Sequence, residues 1–414
     1  MTNSNDRQIL RISITTRIIV VLIILLVQAT SNISKGQPGT YIFLEGDTST
    51  SDIIYSSKSI AKADAGWYRG IAKRGYTKEK FSTTDSHTSQ KNWAFFPGWP
   101  IFWSVFSLGT VNNLAGIVLA NFLFVIGVIA TSSFLKEKEL ATHNQILSFA
   151  LISSYYPFSY FFSLPLPESL FFASTGLFLA TAFRQEQNRH FTIVAFASGY
   201  ISGLTRPTGI FNSVFTISEA IRELQHKKNQ NPKRIKQLLL YAISPLLGLG
   251  TFMVYLYTIT GNPLAFKDIQ SAWGRSGGYP MKGLLSYFES FKSLTTVTSY
   301  SNFKAANFIV CIISIYCIVQ IVIYAAKKLR SPDHNVFLDL IPIPIYLTAL
   351  LIVSTSDNQN LLSYARIAGT NPIFYIGAAI TFKPKLIRQL LPLMALILGA
   401  FTSLAVVGFN AFAA

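Results

Sequence analysis

The sequence predicts an all-α polytopic membrane protein. Half of its 414 residues are hydrophobic and 13% are charged, and the apolar residues fall in long runs. A chain of this length has room for about ten membrane crossings at ~20 residues each. Its Lys and Arg residues lie mostly in clusters between the apolar runs, which is typical of cytoplasmic loops.

The apolar runs indicate about eleven candidate spans with soft boundaries. They lie at 16–31, 111–134, 145–163, 168–183, 191–205, 208–221, 237–259, 305–326, 336–354, 362–382 and 389–411. The apolar core of the first candidate span, Ile18 to Val27, follows Arg7, Arg11 and Arg17 and is short enough to be a secretory signal peptide. We favour a retained first helix, because a signal anchor fits the many later spans and the cleavage site is weak.

The positive-inside rule then gives an orientation. With the amino terminus in the cytoplasm, every basic cluster of a short loop falls inside. These clusters are Lys136 and Lys138; Arg184 and Arg189; Arg222, Lys227, Lys228, Lys233, Arg234 and Lys236; Lys327, Lys328 and Arg330; and Lys383, Lys385 and Arg388. Two long loops, 32–110 and 260–304, then lie outside. The first carries its own basic run, but the rule loses force in loops longer than about 60 residues.

The stretch 94–108 is aromatic, yet it is too short for a span and contains Pro97 and Pro100. Proline interrupts helices, and Trp and Phe prefer the level of the lipid headgroups. We therefore expect a juxtamembrane helix within the first outer loop. If the stretch were a span, every later loop would change sides and the charge pattern would fail.

Charge and cysteine usage argue against other classes of protein. The net charge of +17 is not gathered on one face or tail, so a nucleic-acid partner is not indicated. Cys311 and Cys317 share one apolar stretch without a C-x-x-C pair or a histidine at metal-ligand spacing. Neither a redox motif nor a zinc site is indicated.

Four ionisable residues border the membrane on the predicted outer side. Asp64 lies in the first outer loop, Glu168 opens a span, Arg206 ends one and Arg366 lies a turn into another. Charges at membrane depth are costly and usually face a cavity or a partner. Each has a structural explanation by itself, since Glu168 could cap its helix and the arginines could snorkel to lipid phosphates. Together they predict one site.

Six short motifs include these residues and follow one another from Asp64 to Pro372. They are Asp64-Ala-Gly-Trp67-Tyr68 with Ile71-Ala72 and Gly75-Tyr76; Phe95-Phe96-Pro97 with Pro100; Tyr156-Pro157 with Pro167-Glu168-Ser169-Leu170-Phe171; Thr205-Arg206-Pro207-Thr208-Gly209; Pro263, Phe266, Gln270 and Trp273-Gly274; and Ser363-Tyr364-Ala365-Arg366 with Pro372. In this order they resemble the signature of the PIG-V-like mannosyltransferases, in their bacterial form. The usual aromatic residue after the late arginine is Ile367 here.

The resemblance implies a GT-C type membrane glycosyltransferase, formed by a single transmembrane domain over 1–414. It implies transfer of a sugar, mannose first among the options, from a polyprenyl-phosphate carrier to a glycan, glycolipid or protein acceptor. The enzyme would act on the extracytoplasmic side of a bacterial inner membrane. Asp64 would be the general base, and the substrate-binding residues would be Trp67, Tyr68, Glu168, Arg206, Gln270, Trp273 and Arg366.

The chemistry of the residues agrees with this expectation. A lipid-phosphate donor needs cations at the membrane surface, which Arg206 and Arg366 could supply. An acceptor hydroxyl needs a base near the anomeric carbon, and Asp64 could be that base. Trp67, Tyr68 and Trp273 would offer apolar faces to a sugar ring. No D-x-D motif stands out, so we predict that neither a metal nor another cofactor takes part.

Other functions fit parts of the pattern. A transporter or lipid flippase would also have many spans and buried charges, but such proteins bind near the bilayer midplane through inverted repeats. A scaffold subunit would not need Asp64. A polymerase or ligase of O-antigen type would use an outer loop rich in Arg and His, whereas 260–304 holds Arg275 and four lysines.

Overall fold

A computed structural model describes residues 4–30, 64–82, 90–184, 188–225, 231–273, 275, 277–285, 299–329, 335–356 and 363–407. These residues form helices joined by turns, which confirms the all-α class. The segment 31–63 lies outside the described residues, as do residues 286–298 of the predicted loop 260–304 and Gly274.

The α-helices of the described residues follow in chain order. They are α1 (Ser4–Thr30), α2 (Asp64–Arg74), α3 (Gly98–Phe106), α4 (Asn113–Glu137), α5 (His143–Tyr155), α6 (Glu168–Ala182), α7 (Arg189–Thr205), α8 (Ser213–Gln225), α9 (Pro232–Thr260), α10 (Ala265–Asp268), α11 (Ser299–Leu329), α12 (Asn335–Leu340), α13 (Pro342–Thr355), α14 (Tyr364–Gly369), α15 (Pro372–Thr381) and α16 (Pro384–Val407). Short 3₁₀ helices lie at Asn92–Ala94, Ser159–Ser163, Pro207–Asn212 and Ile269–Trp273.

Within the described residues, six helical segments are long and apolar enough to cross a membrane. They are Asp6–Val27, Asn113–Glu137, Pro232–Thr260, Ala306–Lys328, Val336–Thr355 and Pro384–Leu404. These segments support an integral membrane protein.

The other predicted spans fall on shorter helices. α5 has 13 residues and α6 has 15, so each rises roughly 20 Å, less than the ~30 Å hydrocarbon core. α5 ends where it does because Tyr156 precedes Pro157, and a residue before proline avoids the helical conformation. The predicted span 362–382 is split in the same way before Pro372. The number of crossings therefore stays a prediction.

The aromatic stretch 94–108 contains the short helix α3, as expected, but its prolines begin the helix and do not interrupt it. Pro97 is the N-cap and Pro100 lies in the first turn, where a backbone N–H would have no helical partner anyway. The indoles of Trp99 and Trp103 are buried, and they donate to the carbonyls of Pro165 and Asn112, both at 2.9 Å. α3 thus packs into the protein.

Small residues let α7 and α9 approach each other closely. A Cβ at Gly203 would lie 1.9 Å from the carbonyl oxygen of Pro245, and one at Gly248 would lie 2.0 Å from that of Tyr200. Gly199 and Gly203 have the G-x-x-x-G spacing that brings membrane helices into backbone contact. This contact fixes the end of α7, which leads directly into Arg206.

We predict that Gly203→Ala destabilises the protein by ~2 kcal/mol or more, because the new methyl group meets backbone that cannot rotate away. Gly250→Ala on α9 is the matched control, since a Cβ there meets nothing within 4 Å. Thermal unfolding of both purified variants in detergent measures the difference. Equal midpoints for the two variants would contradict the close contact.

The chain direction sorts the predicted site and the basic loops to opposite ends of the helices. Glu168 begins α6 and Arg206 follows α7 at one end, which we call the site end. At the other end, Lys138 follows α4 and pairs with Glu219 at 3.0 Å and Asp339 at 2.8 Å. This arrangement agrees with the separation that the charge pattern predicts, and the side of the membrane for each end stays a prediction.

The predicted orientation can be tested by cysteine labelling. Cysteines introduced at the exposed positions Lys78 and Lys233 represent the two ends, and the native Cys311 and Cys317 are buried. An impermeant maleimide added outside intact cells should label Lys78→Cys and leave Lys233→Cys unlabelled until the membrane is opened. The reverse pattern would place the basic loops outside.

Candidate active site

Arg366 lies between two carboxylates. Its Nη1 donates to Oδ2 of Asp64 at 2.6 Å, and its Nε donates to Oε1 of Glu168 at 2.7 Å. Arg206 donates from Nη2 to the same Oε1 at 2.7 Å. The four residues predicted from the sequence therefore form one ion-pair network, in which two positive charges balance two negative ones.

Glu168 is the buried centre of this network. Its side chain is 0% exposed, so its charge requires close partners, and the two guanidinium groups supply them. The carboxylate also lies in the first turn of α6, where the helix dipole favours negative charge. Its second oxygen, Oε2, is buried and accepts no hydrogen bond within the described residues.

The turn before Glu168 is held by α3. The Trp99 indole donates to the carbonyl of Pro165, three residues before Glu168. Gly98 lies against the end of α7, because a Cβ there would be 2.4 Å from Oγ1 of Thr205. One short helix thus contacts the segments that carry Glu168 and Arg206.

Arg206 has extended backbone between α7 and the 3₁₀ helix Pro207–Asn212. Its Nη1 donates to Oγ1 of Thr370 at 3.2 Å, and its guanidinium lies 5.6 Å from the centre of the Phe171 ring. With Glu168 and Thr370 as partners, the side chain points into the protein. This contradicts the interpretation that Arg206 simply snorkels to lipid.

Arg366 is carried by the short helix α14, which is anchored on two sides. The Tyr364 hydroxyl donates to Oγ of Ser314 at 2.8 Å. Gly369 lies on the ring of Tyr156, since a Cβ at Gly369 would be 2.0 Å from that ring. The side chain of Arg366 is also paired inside the protein, so snorkelling does not explain it either.

Asp64 is the more accessible of the two carboxylates, with 26% of its side chain exposed. It begins α2, and within the described residues only its Oδ2 has a partner. That partner is Arg366. No ion pair of the described residues joins Asp64 to Arg69, five residues further along α2, and Lys62 lies outside the described residues.

The rings of Trp67 and Tyr68 pack α2 against Phe95, which lies just before α3. The Trp67 ring stacks on Phe95 with centroids 5.6 Å apart, and the Tyr68 ring meets Phe95 edge-on at 5.1 Å. Burial and, next, the charge of Asp64 raise the pKa of the Tyr68 phenol above its ordinary value, so it stays protonated. These contacts give both rings a structural role beside the predicted sugar contact.

Gln270 and Trp273 lie in the 3₁₀ helix Ile269–Trp273. The amide of Gln270 donates to the carbonyl of Phe266 at 3.0 Å, and Phe266 meets Phe96 with ring centroids 5.3 Å apart. None of the described hydrogen bonds joins Gln270 to the ion-pair network. The side chain of Trp273 lies outside the described part, so both binding roles stay predictions.

Arg17 is a buried charge that the basic pattern of the amino terminus does not predict. It precedes the first apolar run together with Arg7 and Arg11, yet it is buried and donates to the carbonyls of Ser154 at 3.0 Å and Ser159 at 2.6 Å. It thereby satisfies one backbone acceptor in the last turn of α5 and one in the 3₁₀ helix Ser159–Ser163 that follows. Its position inside an apolar helix was the available signal.

Three contacts of the arginines cannot be predicted from the sequence, because they join segments far apart in the chain. The centre of the Phe161 ring lies 4.6 Å from the Arg366 guanidinium, and Phe171 and Thr370 contact Arg206. Phe171 belongs to the motif that starts at Pro167, whereas Phe161 and Thr370 carried no signal of their own. Stacking on rings keeps the guanidinium planes in a fixed orientation.

A metal site was not expected. Among the described residues, no three side chains of His, Cys, Asp or Glu converge closely enough to hold an ion. Metal independence stays a prediction.

Comparison with known proteins gives weak likenesses. No family model and no curated protein matches the sequence. The fold is similar to two crystal structures of an oligosaccharyltransferase from Archaeoglobus fulgidus. For the complex with zinc and sulfate the TM-score is 0.43 at 12% identity, over 81% of this chain and 48% of that one. For the apo form it is 0.47 at 11%, over 94% and 56%.

The chain spans about half the length of the structures it matches. The resemblance to the PIG-V-like mannosyltransferases therefore rests on the motifs alone.

We predict that Glu168→Gln destabilises the protein by about 3–5 kcal/mol, because it leaves two largely buried guanidinium groups without their shared carboxylate. Glu79→Gln is the control. Glu79 pairs with Lys91 but is 51% exposed, so its loss should cost no more than ~1 kcal/mol. Chemical unfolding in detergent compares the two. Similar costs would mean that the network contributes little to stability.

Proposed function

We propose that the protein is a membrane glycosyltransferase of GT-C type, related to the PIG-V-like mannosyltransferases. It takes a sugar from a polyprenyl-phosphate donor and transfers it to a glycan, glycolipid or protein acceptor outside a bacterial inner membrane. The observation that carries the proposal is the pairing of a partly exposed carboxylate, Asp64, with the largely buried guanidinium of Arg366 at 2.6 Å.

The geometry favours Asp64 over Glu168 as the general base. A base must reach the hydroxyl proton of an acceptor, and Glu168 is 0% exposed while Asp64 is 26% exposed. The accepting oxygen of Glu168 is already shared by two arginines. Oδ1 of Asp64 has no partner within the described residues, so it can accept a proton while Oδ2 stays on Arg366.

The reaction then proceeds by a single displacement. The acceptor oxygen forms a bond to the anomeric carbon as its proton passes to Asp64. The bond from the anomeric carbon to the phosphate oxygen breaks, and the carrier phosphate leaves with the electron pair. Arg366, with Arg206 behind it, supplies the positive charge that stabilises the developing phosphate. Guanidinium suits this role because it is planar and always charged.

The position of the network also favours an enzyme over a transporter. All four charges lie where helices begin or end, and α2 and α3 are too short to cross a membrane. A transporter site would lie near the midplane, between broken helices. Dependence of product formation on the carrier lipid separates the two functions.

We predict that Asp64→Asn lowers transfer by about 10²–10⁴-fold, because the amide keeps the size of the side chain but cannot accept the proton. Membranes containing the variant are assayed with polyprenyl-phosphate mannose, glucose and arabinose. Asp268→Asn is the matched control, since Asp268 is an exposed carboxylate bonded to Asn262 and outside the network. It should keep the parental rate.

Binding of the donor should survive in Asp64→Asn, because the arginines remain. Near-parental transfer by this variant at normal abundance would contradict the role of Asp64. Absence of transfer by the parental protein with all three donors would contradict the proposed function itself.

A further inference from the structure

A cavity of about 580 Å³ opens at the end of the helices that carries the basic loops. It lies between Asn144, in the first turn of α5, and the first turns of α16. Its lining residues are Asn144, Pro384, Lys385, Arg388 and Gln389. Asp64 and its partners lie at the opposite end of α5, so this cavity takes no part in the proposed transfer.

The cavity is positively charged. Lys385 and Arg388 are exposed and lie one helical turn apart, so both reach the same opening. Arg388 donates from Nη2 to Oδ1 of Asn144 at 2.9 Å, a neutral acceptor that leaves its charge uncompensated. No ion pair of the described residues involves either cation, and the chain has no Asp or Glu after Asp357. The chemistry therefore suits an anion.

An apolar surface continues from the cavity along α16. Residues three and four positions apart share a helix face, so Leu393 and Leu396 lie beyond Arg388 and Gln389 on the side that faces the cavity. Their side chains are 53% and 71% exposed. A ligand that fills this surface needs an anionic head and an apolar tail.

We propose that this cavity is a binding site for an anionic phospholipid. The phosphate lies between Lys385 and Arg388, the polar headgroup contacts Asn144 and Gln389, and an acyl chain runs along Leu393 and Leu396. Arginine and lysine both bind phosphate oxygens through charged hydrogen bonds. Basic pockets between membrane helices on the cytoplasmic side recognise lipid headgroups in this way. A free phosphate would leave the apolar surface unused.

The test is competition between two lipids with the same acyl chains. The full-length protein is purified in detergent and exposed to an equimolar mixture of phosphatidylglycerol and phosphatidylcholine, and bound lipid is counted by native mass spectrometry. The parental protein should prefer phosphatidylglycerol. Lys385→Gln and Arg388→Gln should each reduce that preference about fivefold, as expected for one cation near the headgroup.

Lys233→Gln and Lys236→Gln are the matched controls. Both lysines are exposed, have the same spacing and lie in the first turns of α9 at the same end of the helices. They line no part of the cavity, so their loss should leave the preference unchanged. Equal losses in both pairs would overturn the proposal, because the attraction would then be a diffuse effect of charge.

Two further measurements keep the proposal falsifiable. Lys385→Gln changes an exposed side chain without a described hydrogen bond, so it remains informative if Arg388→Gln unfolds. Inorganic phosphate and glycerol phosphate are then added at excess. Failure to displace bound phosphatidylglycerol supports a site that needs the acyl chain, whereas its displacement would assign the cavity to a soluble phosphate and overturn the lipid proposal.

Discussion

The site end depends on one interaction, the pairing of the buried Glu168 carboxylate with two arginines. Glu168 begins α6 with no exposure to solvent, and an unpaired charge there would cost several kcal/mol. Arg206 and Arg366 both bond to the same oxygen of Glu168. Because Arg366 also bonds to Asp64, the end of α7, the helix α14 and the start of α2 must meet at one point. Pairing of buried charge therefore connects segments that are far apart in the sequence.

Helix breaks make this convergence possible. Prolines end or divide the apolar runs near Tyr156, Arg206 and Pro372, so several segments stop short of full membrane length at the site end. The turns that result bring polar groups to the network while aromatic side chains fill the space around them. α3 completes this packing, since the indoles of Trp99 and Trp103 donate to the carbonyls of Pro165 and Asn112. The same short elements that complicate the counting of spans thus form the candidate active site.

The two ends of the helices use charged groups in different ways. At the site end, two arginines balance two carboxylates within the network, and the accessible carboxylate of Asp64 gives the network its proposed chemistry. At the other end, Lys138 and Arg222 pair with Glu219 and Asp339, while Lys385 remains without an acidic partner among the described residues. Excess positive charge there agrees with the side of a membrane that holds anionic lipid.

The sequence by itself determined the class of the protein and the members of the network. Long apolar runs require helices in a bilayer, because every backbone polar group must be bonded within its own segment. Rare charges at the ends of such runs require partners, which predicted that Asp64, Glu168, Arg206 and Arg366 belong together. Both arguments use local composition, so one sequence is enough for them.

Only the tertiary structure decided which groups touch. Arg366 bonds to a carboxylate 302 positions away, and nothing in the spacing of the sequence shows which of the distant charges it meets. It also decided that Trp67 stacks on Phe95 and that Arg17 is buried against the end of α5. These contacts depend on how helix ends pack in three dimensions, where burial makes one partner far more favourable than another.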